Sequence, residues 1–256
     1  MNAPSLGTDA DANDPGQRAD RKREVFMPRL RIGDYLTAPS AGMLADTPYA
    51  DMNDAELADF LASWDDWHRQ ALARLPHPHR IHPTAEIHRT ALIGEDVIIG
   101  PGVRVWEFST VRSGSVLSAG VSVGFNCEVT RSFLGEGTIL GHRIGLNRTL
   151  VGDEAHLSAN VTVAAISMWS THMAQPEREI RFRAPGGIYR CGTPRFGALL
   201  GDRVQTGHNI SLGPGLAIGR YSRIAGGVTL AGRTLPERST VTAPHTAEAH
   251  VRRQRA

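Results

Sequence analysis

Histidine is the residue of this chain best suited to proton transfer, and eleven are present. An imidazole titrates near neutral pH, so it can accept a proton from a reacting group, and its neutral form can bind a metal ion. The histidines that stand out form a crowded group and a spaced group: His77, His79, His82 and His88 around the segment PHPHRIHP, and His142, His156 and His208 further along. Both groups are candidates for proton transfer or metal binding. Which group is functional depends on the secondary-structure elements that position it.

Composition excludes several other kinds of chemistry. Cys127 and Cys191 form no CxxC pair, so we expect neither a disulfide scaffold nor a thiolate zinc site. The 28 basic and 26 acidic residues nearly balance, so we expect no nucleic-acid partner. No apolar run approaches the roughly 18 residues of a membrane span, and Met1 to Asp20 has no apolar signal segment. We therefore expect a cytoplasmic protein with no membrane partner.

A six-residue repeat begins at Ile81. The repeating position is aliphatic, with one threonine. Its phase shifts after Val129 and again after Leu146, and the repeat resumes at Leu200 after an interruption. The position comprises Ile81, Ile87, Ile93, Ile99, Val105, Val111, Leu117, Val123, Val129, Leu134, Leu140, Leu146, Val151, Leu157, Val163, Leu200, Thr206, Leu212, Ile218, Ile224 and Leu230. The residue that follows is often small, as at Gly94 and Gly124. Hexapeptide periods are typical of β-helices. We predict a triangular coil with the aliphatic side chains inside and the small residue at a corner, where small size or a positive φ is an advantage.

The remaining segments divide the chain. We predict a disordered tail at 1–27, an N-terminal extension at 28–80, a β-helix at 81–232 interrupted by an inserted loop at 166–197, and a C-terminal tail at 233–256. Within the extension, apolar residues at three- and four-residue steps predict one amphipathic helix at about 54–75, capped by Asn53 or Asp54. Its tryptophan-rich stripe indicates that the helix packs on the main domain or on a neighbouring subunit.

The repeat resembles the left-handed parallel β-helix of the hexapeptide-repeat acyltransferases. That resemblance implies an all-β fold, here with an N-terminal helical extension and an inserted loop. Two runs are more specific: VRSGSVLSAGVSVGFNCEVTRSFLGEGTILGHRIGLNRTLVG from Val111 and FGALLGDRVQTGHNISLGPGLAIGRYSRI from Phe196. Both are similar to the C-terminal domain of sugar-phosphate nucleotidylyltransferases, among them the bifunctional glucosamine-1-phosphate acetyltransferase/uridylyltransferase. This similarity covers roughly residues 85–232.

The resemblance implies an activity and an assembly. It implies a CoA-dependent acyltransferase that moves an acetyl or other acyl group from acetyl-CoA or another acyl-CoA to an amine of a small, phosphorylated, sugar-like acceptor. It also implies a homotrimer whose active site lies between two prisms, and no metal. A glycine-rich nucleotide loop is missing from the sequence, and about 80 residues precede the repeat, so we do not expect uridylyl transfer.

The resemblance also assigns residues. His142, in the GH segment, corresponds to a family histidine that acts as general base on the sugar amine. Arg112 corresponds to an arginine that holds the sugar phosphate, and a guanidinium suits a phosphate because it donates two parallel hydrogen bonds. Glu128 and Arg131 correspond to a carboxylate and a basic residue of the sugar site.

The chain departs from the family pattern in the acceptor site but keeps small residues where the donor would lie. Gly145 replaces a family tyrosine, and His156 replaces an asparagine of the sugar site, so we expect a different acceptor. Ala159, His208 and Gly226 match positions at which backbone groups face the pantetheine arm of acetyl-CoA. They are the predicted cofactor-binding residues.

Two other functions stay open at this point. One is a metal-dependent lyase of the γ-carbonic anhydrase type, which shares this fold and places two histidine ligands five residues apart; His77 and His82 have that spacing. The other is a non-catalytic trimeric β-helix scaffold. The inserted loop 166–197 is expected either to cover a neighbouring active site or to form a disordered surface insertion.

Overall fold

A computed structural model describes residues 28–243, so the predicted tail at 1–27 and residues 244–256 lie outside the described residues. The described strands wind into three parallel sheets, which form the faces of a left-handed parallel β-helix, as predicted. The inserted segment and the N-terminal extension pack on one of these faces. No helix in the described range is both long and apolar enough to cross a bilayer.

Each turn of the chain contributes one strand to each sheet in the order first, second, third. The first sheet contains β1 Glu86–Ile87, β4 Arg104–Val105, β7 Ser122–Val123, β10 Ile139–Leu140, β13 His156–Leu157, β18 Gln205–Thr206, β21 Arg223–Ile224 and β24 Thr240–Val241. The second contains β2 Leu92–Ile93, β5 Thr110–Arg112, β8 Glu128–Thr130, β11 Gly145–Asn147, β14 Val161–Val163, β19 Ile210–Leu212 and β22 Thr229–Leu230. The third contains β3 Ile98–Ile99, β6 Val116–Leu117, β9 Phe133–Leu134, β12 Leu150–Val151, β17 Ala198–Leu200, β20 Leu216–Ile218 and β23 Arg233–Leu235, with the hairpin β15 Arg181–Ala184 and β16 Gly187–Arg190 at its end. The strands β23 and β24 extend the solenoid past residue 232, where we expected it to end.

The interior of the prism is built from the aliphatic residues of the repeat. Ile99, Val123, Leu140 and Leu157 are almost fully buried and belong to one continuous apolar cluster along the axis. Thr206, the polar member of the repeat, is half-buried, and its hydroxyl accepts a hydrogen bond from the Ser158 amide at 3.0 Å. The period of six therefore identifies much of the core directly, and the residue two before the aliphatic, such as Val97 or Val121, is buried in the same cluster.

At the corners, the position that must be small and the position with a positive φ are different residues. The residue directly after the aliphatic must be small where turns stack closely: a Cβ on Gly124 would lie 1.6 Å from the Gly141 carbonyl oxygen. The positive φ falls two residues later, on Asn126 and Asn160 among others. The prediction of a positive φ directly after the aliphatic is wrong at these corners, because the chain reverses direction only after passing the small residue.

The third sheet is buried on both faces. Its outward residues include Val116, Phe133 and Leu150, all fully buried beneath the N-terminal extension and the hairpin. The matching outward residues of the first sheet, such as Arg104 and Gln205, are exposed. An apolar pair in every third repeat is thus the sequence signal for a covered face.

Helix α1 spans Leu57–Arg74 and lies against the third sheet of its own chain. Its cap is Glu56, whose carboxylate accepts from the Ala58 amide at 2.8 Å. The prediction that Asn53 or Asp54 caps the helix is wrong, because Glu56 also accepts from the Leu30 amide at 3.2 Å and from the Tyr189 hydroxyl at 2.5 Å. The cap therefore joins the helix, the residues before it and the inserted hairpin.

His68 fixes the other end of this interface. Its Nε2–H donates to the Asp96 carbonyl at 2.6 Å, and its Nδ1 accepts from the Tyr49 hydroxyl at 2.9 Å. Burial lowers the pKa of His68, which keeps the ring neutral and suits this pair of hydrogen bonds. Short 3₁₀ turns at Ile32–Asp34, Gly42–Leu44 and Pro48–Asp54 complete the covering layer.

The inserted segment is an ordered part of the fold. Its strand β15 pairs antiparallel with β16 and parallel with β23, so the hairpin extends the third sheet. Phe182 and Tyr189 of the hairpin are buried against the extension. A disordered insertion is therefore not what the structure shows between 181 and 190; whether the segment covers a neighbouring site stays a prediction.

A carboxylate at the corner between the third and first sheets predicts a pH-dependent stability. Burial, together with the charges of Asp202, Glu136 and Glu154, raises the pKa of Asp153 to about 6 from 3.8. Because the folded pKa is raised, ionised Asp153 destabilises the fold above about pH 6, and this cost disappears as the pH falls below 3.8. Asp153→Asn keeps an acceptor for the Glu136 amide, which now lies 2.7 Å from the carboxylate. We expect it to raise the melting temperature at pH 8 and to change little at pH 4.

The control for Asp153 is its exposed neighbour. Glu154→Gln removes one acidic charge and an exposed ion pair with Arg203, so its effect on stability should be small at both pH values. Melting curves across the pH range test this. A gain from Asp153→Asn that is the same at pH 4 and pH 8 would show that the ionisation of Asp153 has no part in stability.

Candidate functional site

The corner between the first and second sheets, called here the first corner, carries the predicted base and donor residues. His142 lies between β10 and β11, and its side chain is exposed. Ala159, His208 and Gly226 occupy the same position in the three following turns. The positions are matched by hydrogen bonds between turns: the Asn160 amide donates to the His142 carbonyl at 2.9 Å, Asn209 to Ala159 at 3.0 Å and Gly227 to His208 at 3.0 Å. The structure therefore brings all four predicted residues into one row.

A polar ladder runs beside this row. The Arg143 guanidinium donates to the Asn160 side-chain oxygen at 2.8 Å, and the Asn160 amide group donates to Asn209 at 2.8 Å. These three residues share the left-handed backbone conformation of the corner. The ladder holds the three turns in register next to His142.

The row leaves backbone donors open. The backbone N–H groups of four residues donate no hydrogen bond to any acceptor within residues 28–243: His142, Ala159, His208 and Gly226. Because turns of a β-solenoid are spaced by about 4.8 Å, the row offers a regular line of N–H donors along the edge of the prism. The exposed His142 ring likewise has no hydrogen-bond partner among the described residues.

The predicted acceptor residues lie on different faces. Arg112 and Glu128 lie on the second sheet and form an ion pair, and Glu128 is opposite Gly145 in the register. His156 lies exposed on the first sheet, beside Ile139 and Gln205. The faces of a triangular prism point in different directions, so one chain does not place His156 in one pocket with Arg112 and Glu128. His142 lies at the edge that separates them.

Arg131 is drawn toward the N-terminal extension. It lies at the corner between the second and third sheets, the second corner, and its guanidinium forms an ion pair with Asp65 of α1. Its place in a sugar site stays a prediction, and the structure shows a second role in docking the helix. No local sequence pattern indicates this pair, because 66 residues separate the partners.

The crowded histidines stabilise the first turn of the solenoid. His82 and His88 each place Nδ1 at 2.9 Å from a threonine hydroxyl, that of Thr84 and of Thr90. Those hydroxyls accept from backbone amides one turn later, at 2.9 and 3.1 Å. No group of three or more His, Cys, Asp or Glu side chains is gathered for a metal among residues 28–243. The lyase alternative therefore has no ligand set within a single copy of residues 28–243.

Residues outside the predicted set also mark the first corner. Trp106, Phe108 and Phe125 remain 46%, 60% and 39% exposed on the turns before His142. The rings of Phe108 and Phe125 meet edge to face at 5.8 Å between centroids. The six-residue period could not have identified them as a set, because they occupy three different positions of the corner: Trp106 matches Gly124, Phe108 matches Asn126, and Phe125 matches Glu107. A separate cavity of about 450 Å³ lies on the inserted segment beside Arg178 and Glu179, away from this row.

The fold and this row of residues define a class: the chain is a hexapeptide-repeat, left-handed parallel β-helix protein. The family model of the GMPPB C-terminal domain matches residues 75–177. The bifunctional sugar-1-phosphate nucleotidylyltransferase/acetyltransferase of Sulfurisphaera tokodaii is 27% identical over 122 residues, which are 48% of this chain and 29% of that protein. The carnitine operon protein CaiE of Escherichia coli is 29% identical over 125 residues, covering 44% of this chain and 64% of that protein. These matches confirm the resemblance to hexapeptide-repeat acyltransferases and nucleotidylyltransferase β-helix domains.

Among solved structures, one that matches part of this chain is the N-acyltransferase AntD from Bacillus cereus, solved with dTDP and 3-hydroxybutyryl-CoA. It is 17% identical, with a TM-score of 0.35, over 63% of this chain and 76% of that one. The chain spans between 29% and 64% of the length of the two curated relatives described above.

Proposed function

We propose that the protein is a CoA-dependent acyltransferase that moves an acetyl or other acyl group to an amine of a small, phosphorylated, sugar-like acceptor. The observation that carries the proposal is the row at the first corner, where an exposed, unpartnered histidine is followed by three turns of open backbone donors. The relatives support the reaction class, since one of them is named an acetyltransferase in part.

His142 is the proposed general base. An ammonium group cannot attack a thioester until it loses a proton, and an imidazole accepts one near neutral pH. As the amine nitrogen bonds to the acyl carbon, its proton passes to the His142 ring. The carbon–sulfur bond then breaks, and the leaving CoA thiolate takes the proton back from the His142 imidazolium, which restores the neutral ring.

The donor is proposed to lie along the first corner. The pantetheine arm of CoA contains two amide groups, whose carbonyls accept hydrogen bonds from N–H donors. Ala159 and Gly226 have little or no side chain, so the arm can approach the backbone closely there. The open N–H groups of Ala159, His208 and Gly226 would hold the arm and direct the thioester toward His142.

The acceptor site is proposed to be completed by a second copy of the chain. His156 and the pair of Arg112 and Glu128 diverge from the His142 edge on two faces, so a cleft that includes both needs a neighbouring prism. A homotrimer provides such a cleft at each of its three interfaces. The proposal predicts that activity and trimerisation are lost together on dilution.

The donor row predicts a matched pair of variants. Ala159→Leu places a bulky side chain over the open N–H groups, and it is expected to weaken CoA binding by at least about tenfold, the effect of losing roughly one good contact. Ala119 occupies the equivalent position at the corner between the third and first sheets, since the Gly137 amide donates to its carbonyl at 2.9 Å. Ala119→Leu is therefore the control and should bind CoA as the unaltered protein does.

Calorimetric titration with CoA and acetyl-CoA measures both variants. Micromolar binding near one site per chain, lost in Ala159→Leu alone, supports the proposal. Absence of binding by the unaltered protein would refute it and would favour the scaffold function. Equal weakening by both variants would mean that the donor does not lie along the first corner.

A further inference from the structure

Three arginines gather at the second corner without enough acidic partners. Arg131 and Arg148 occupy the same place on neighbouring turns: the Arg131 amide donates to the Arg112 carbonyl at 3.2 Å, and the Arg148 amide donates to the Thr130 carbonyl at 3.0 Å. Their backbones are therefore about 4.8 Å apart, the spacing of adjacent strands. The Gly197 amide donates to the Arg148 carbonyl at 3.0 Å, which places Arg195 close to the next turn.

In the described part of the chain, only one carboxylate forms an ion pair with any of these three arginines. Asp65 pairs with Arg131, whose side chain is 25% exposed. Arg148 makes no ion pair and no side-chain hydrogen bond with residues 28–243, and Arg195 donates to the Ala174 carbonyl at 3.1 Å. Three positive charges and one negative charge leave a net charge of +2 at this corner.

Such an arrangement is unfavourable unless an anion is bound. Burial, together with the positive charges of Arg131 and Arg195, lowers the pKa of Arg148 to about 10, which still leaves it charged at neutral pH. Like charges held together in a half-buried place repel each other, and each has lost part of its hydration. Surface arginines without such a role would turn outward into water.

We propose that Arg131, Arg148 and Arg195 form a binding site for a phosphate dianion. A dianion balances the net charge of +2, and guanidinium groups donate pairs of hydrogen bonds to phosphate oxygens. The site differs from the predicted phosphate contact of Arg112, which Glu128 already neutralises. It adds Arg148 and Arg195, which the sequence analysis did not single out.

Asp65 acts in this site as an internal competitor. Its carboxylate lies on Arg131 when no phosphate is present, so a bound phosphate must share or displace it. Removing the charge of Asp65 therefore frees a third guanidinium for the ligand. If phosphate binds here, removing the Asp65 charge should raise the affinity for phosphate. If the ion pair of Asp65 and Arg131 has only a structural role, the affinity should not rise.

Phosphate can bind to these three arginines whether or not the protein transfers acyl groups. The phosphate could belong to the proposed acceptor, in which case the inference rests on the proposed function, or it could be a free anion. Inorganic phosphate and glucosamine 1-phosphate distinguish the two sources. Tighter binding of the sugar phosphate would assign the site to the acceptor, and equal binding would assign it to a free anion.

The experiment is calorimetric titration of these two probes into the full chain, without any acyl donor. Arg148→Gln should weaken phosphate binding at least about tenfold, the effect of losing one charged hydrogen-bond partner, and Asp65→Asn should tighten it. The control is Arg203→Gln, because Arg203 has the same left-handed backbone at another corner and pairs with Glu154. It should bind phosphate as the unaltered protein does.

A second measurement separates binding from folding. In phosphate-free buffer, Arg148→Gln should melt no lower than the unaltered protein, because it relieves repulsion between cations. Added phosphate should raise the melting temperature of the unaltered protein more than that of Arg148→Gln. The proposal is overturned if the unaltered protein binds no phosphate at millimolar concentration, or if Arg148→Gln and Arg203→Gln bind it equally well.

Discussion

Replacing His142 by alanine is expected to lower the rate of acyl transfer by at least about a hundredfold, the usual contribution of a general base. That factor corresponds to about 2.7 kcal/mol of lost transition-state stabilisation. The side chain is exposed and makes no hydrogen bond with other described residues, so its removal should leave the fold and the melting temperature unchanged. The assay is release of the CoA thiol in the presence of an amine acceptor.

Two further variants make the test of His142 specific. His142→Gln keeps a polar side chain of similar size but cannot accept the proton in the same way, so it should be as inactive as the alanine variant. His172→Ala, an exposed histidine of the inserted segment, should retain full activity. If His142→Ala turns over at the normal rate, the base lies elsewhere, while CoA binding at the first corner would still stand.

Replacing Phe133 by alanine is expected to destabilise the protein by about 3–5 kcal/mol, the usual cost of a fully buried phenylalanine. Phe133 is on the outward side of β9 and is fully buried beneath the N-terminal extension. Its ring stacks on Tyr49 with 5.6 Å between centroids, and Tyr49 in turn binds His68 of α1. The change therefore opens a cavity between the solenoid and its covering layer.

The matched control is Phe125, a phenylalanine of the same solenoid that is 39% exposed. Phe125→Ala should cost clearly less than Phe133→Ala, since part of the Phe125 ring is already exposed to solvent. Urea denaturation followed by circular dichroism measures both. Equal losses for the two variants would mean that the extension does not contribute to the stability of the β-helix.

The six-residue period was enough to predict the β-helix and most of its core. Residues such as Ile99 and Leu140 are inside because one side of the three-sided coil takes about six residues, so the same strand position faces the axis on every side. The helix was equally predictable, because its apolar stripe follows the helical period. The row at the first corner was predictable as well. His142, Ala159 and His208 each lie two residues after the repeating position, so they fall at the same corner of successive turns.

Contacts between residues far apart in the chain could not be predicted in this way. Glu56 caps the helix rather than Asn53 or Asp54, because its carboxylate also meets Leu30 and Tyr189. Arg131 pairs with Asp65, and Arg148 and Arg195 approach each other only because the inserted segment leaves and rejoins the prism near them. His156 and Arg112 belong to one predicted site yet lie on different faces. A repeat specifies its own turns, but hydrogen bonds and charges between segments depend on how those segments pack, and no local pattern records that packing.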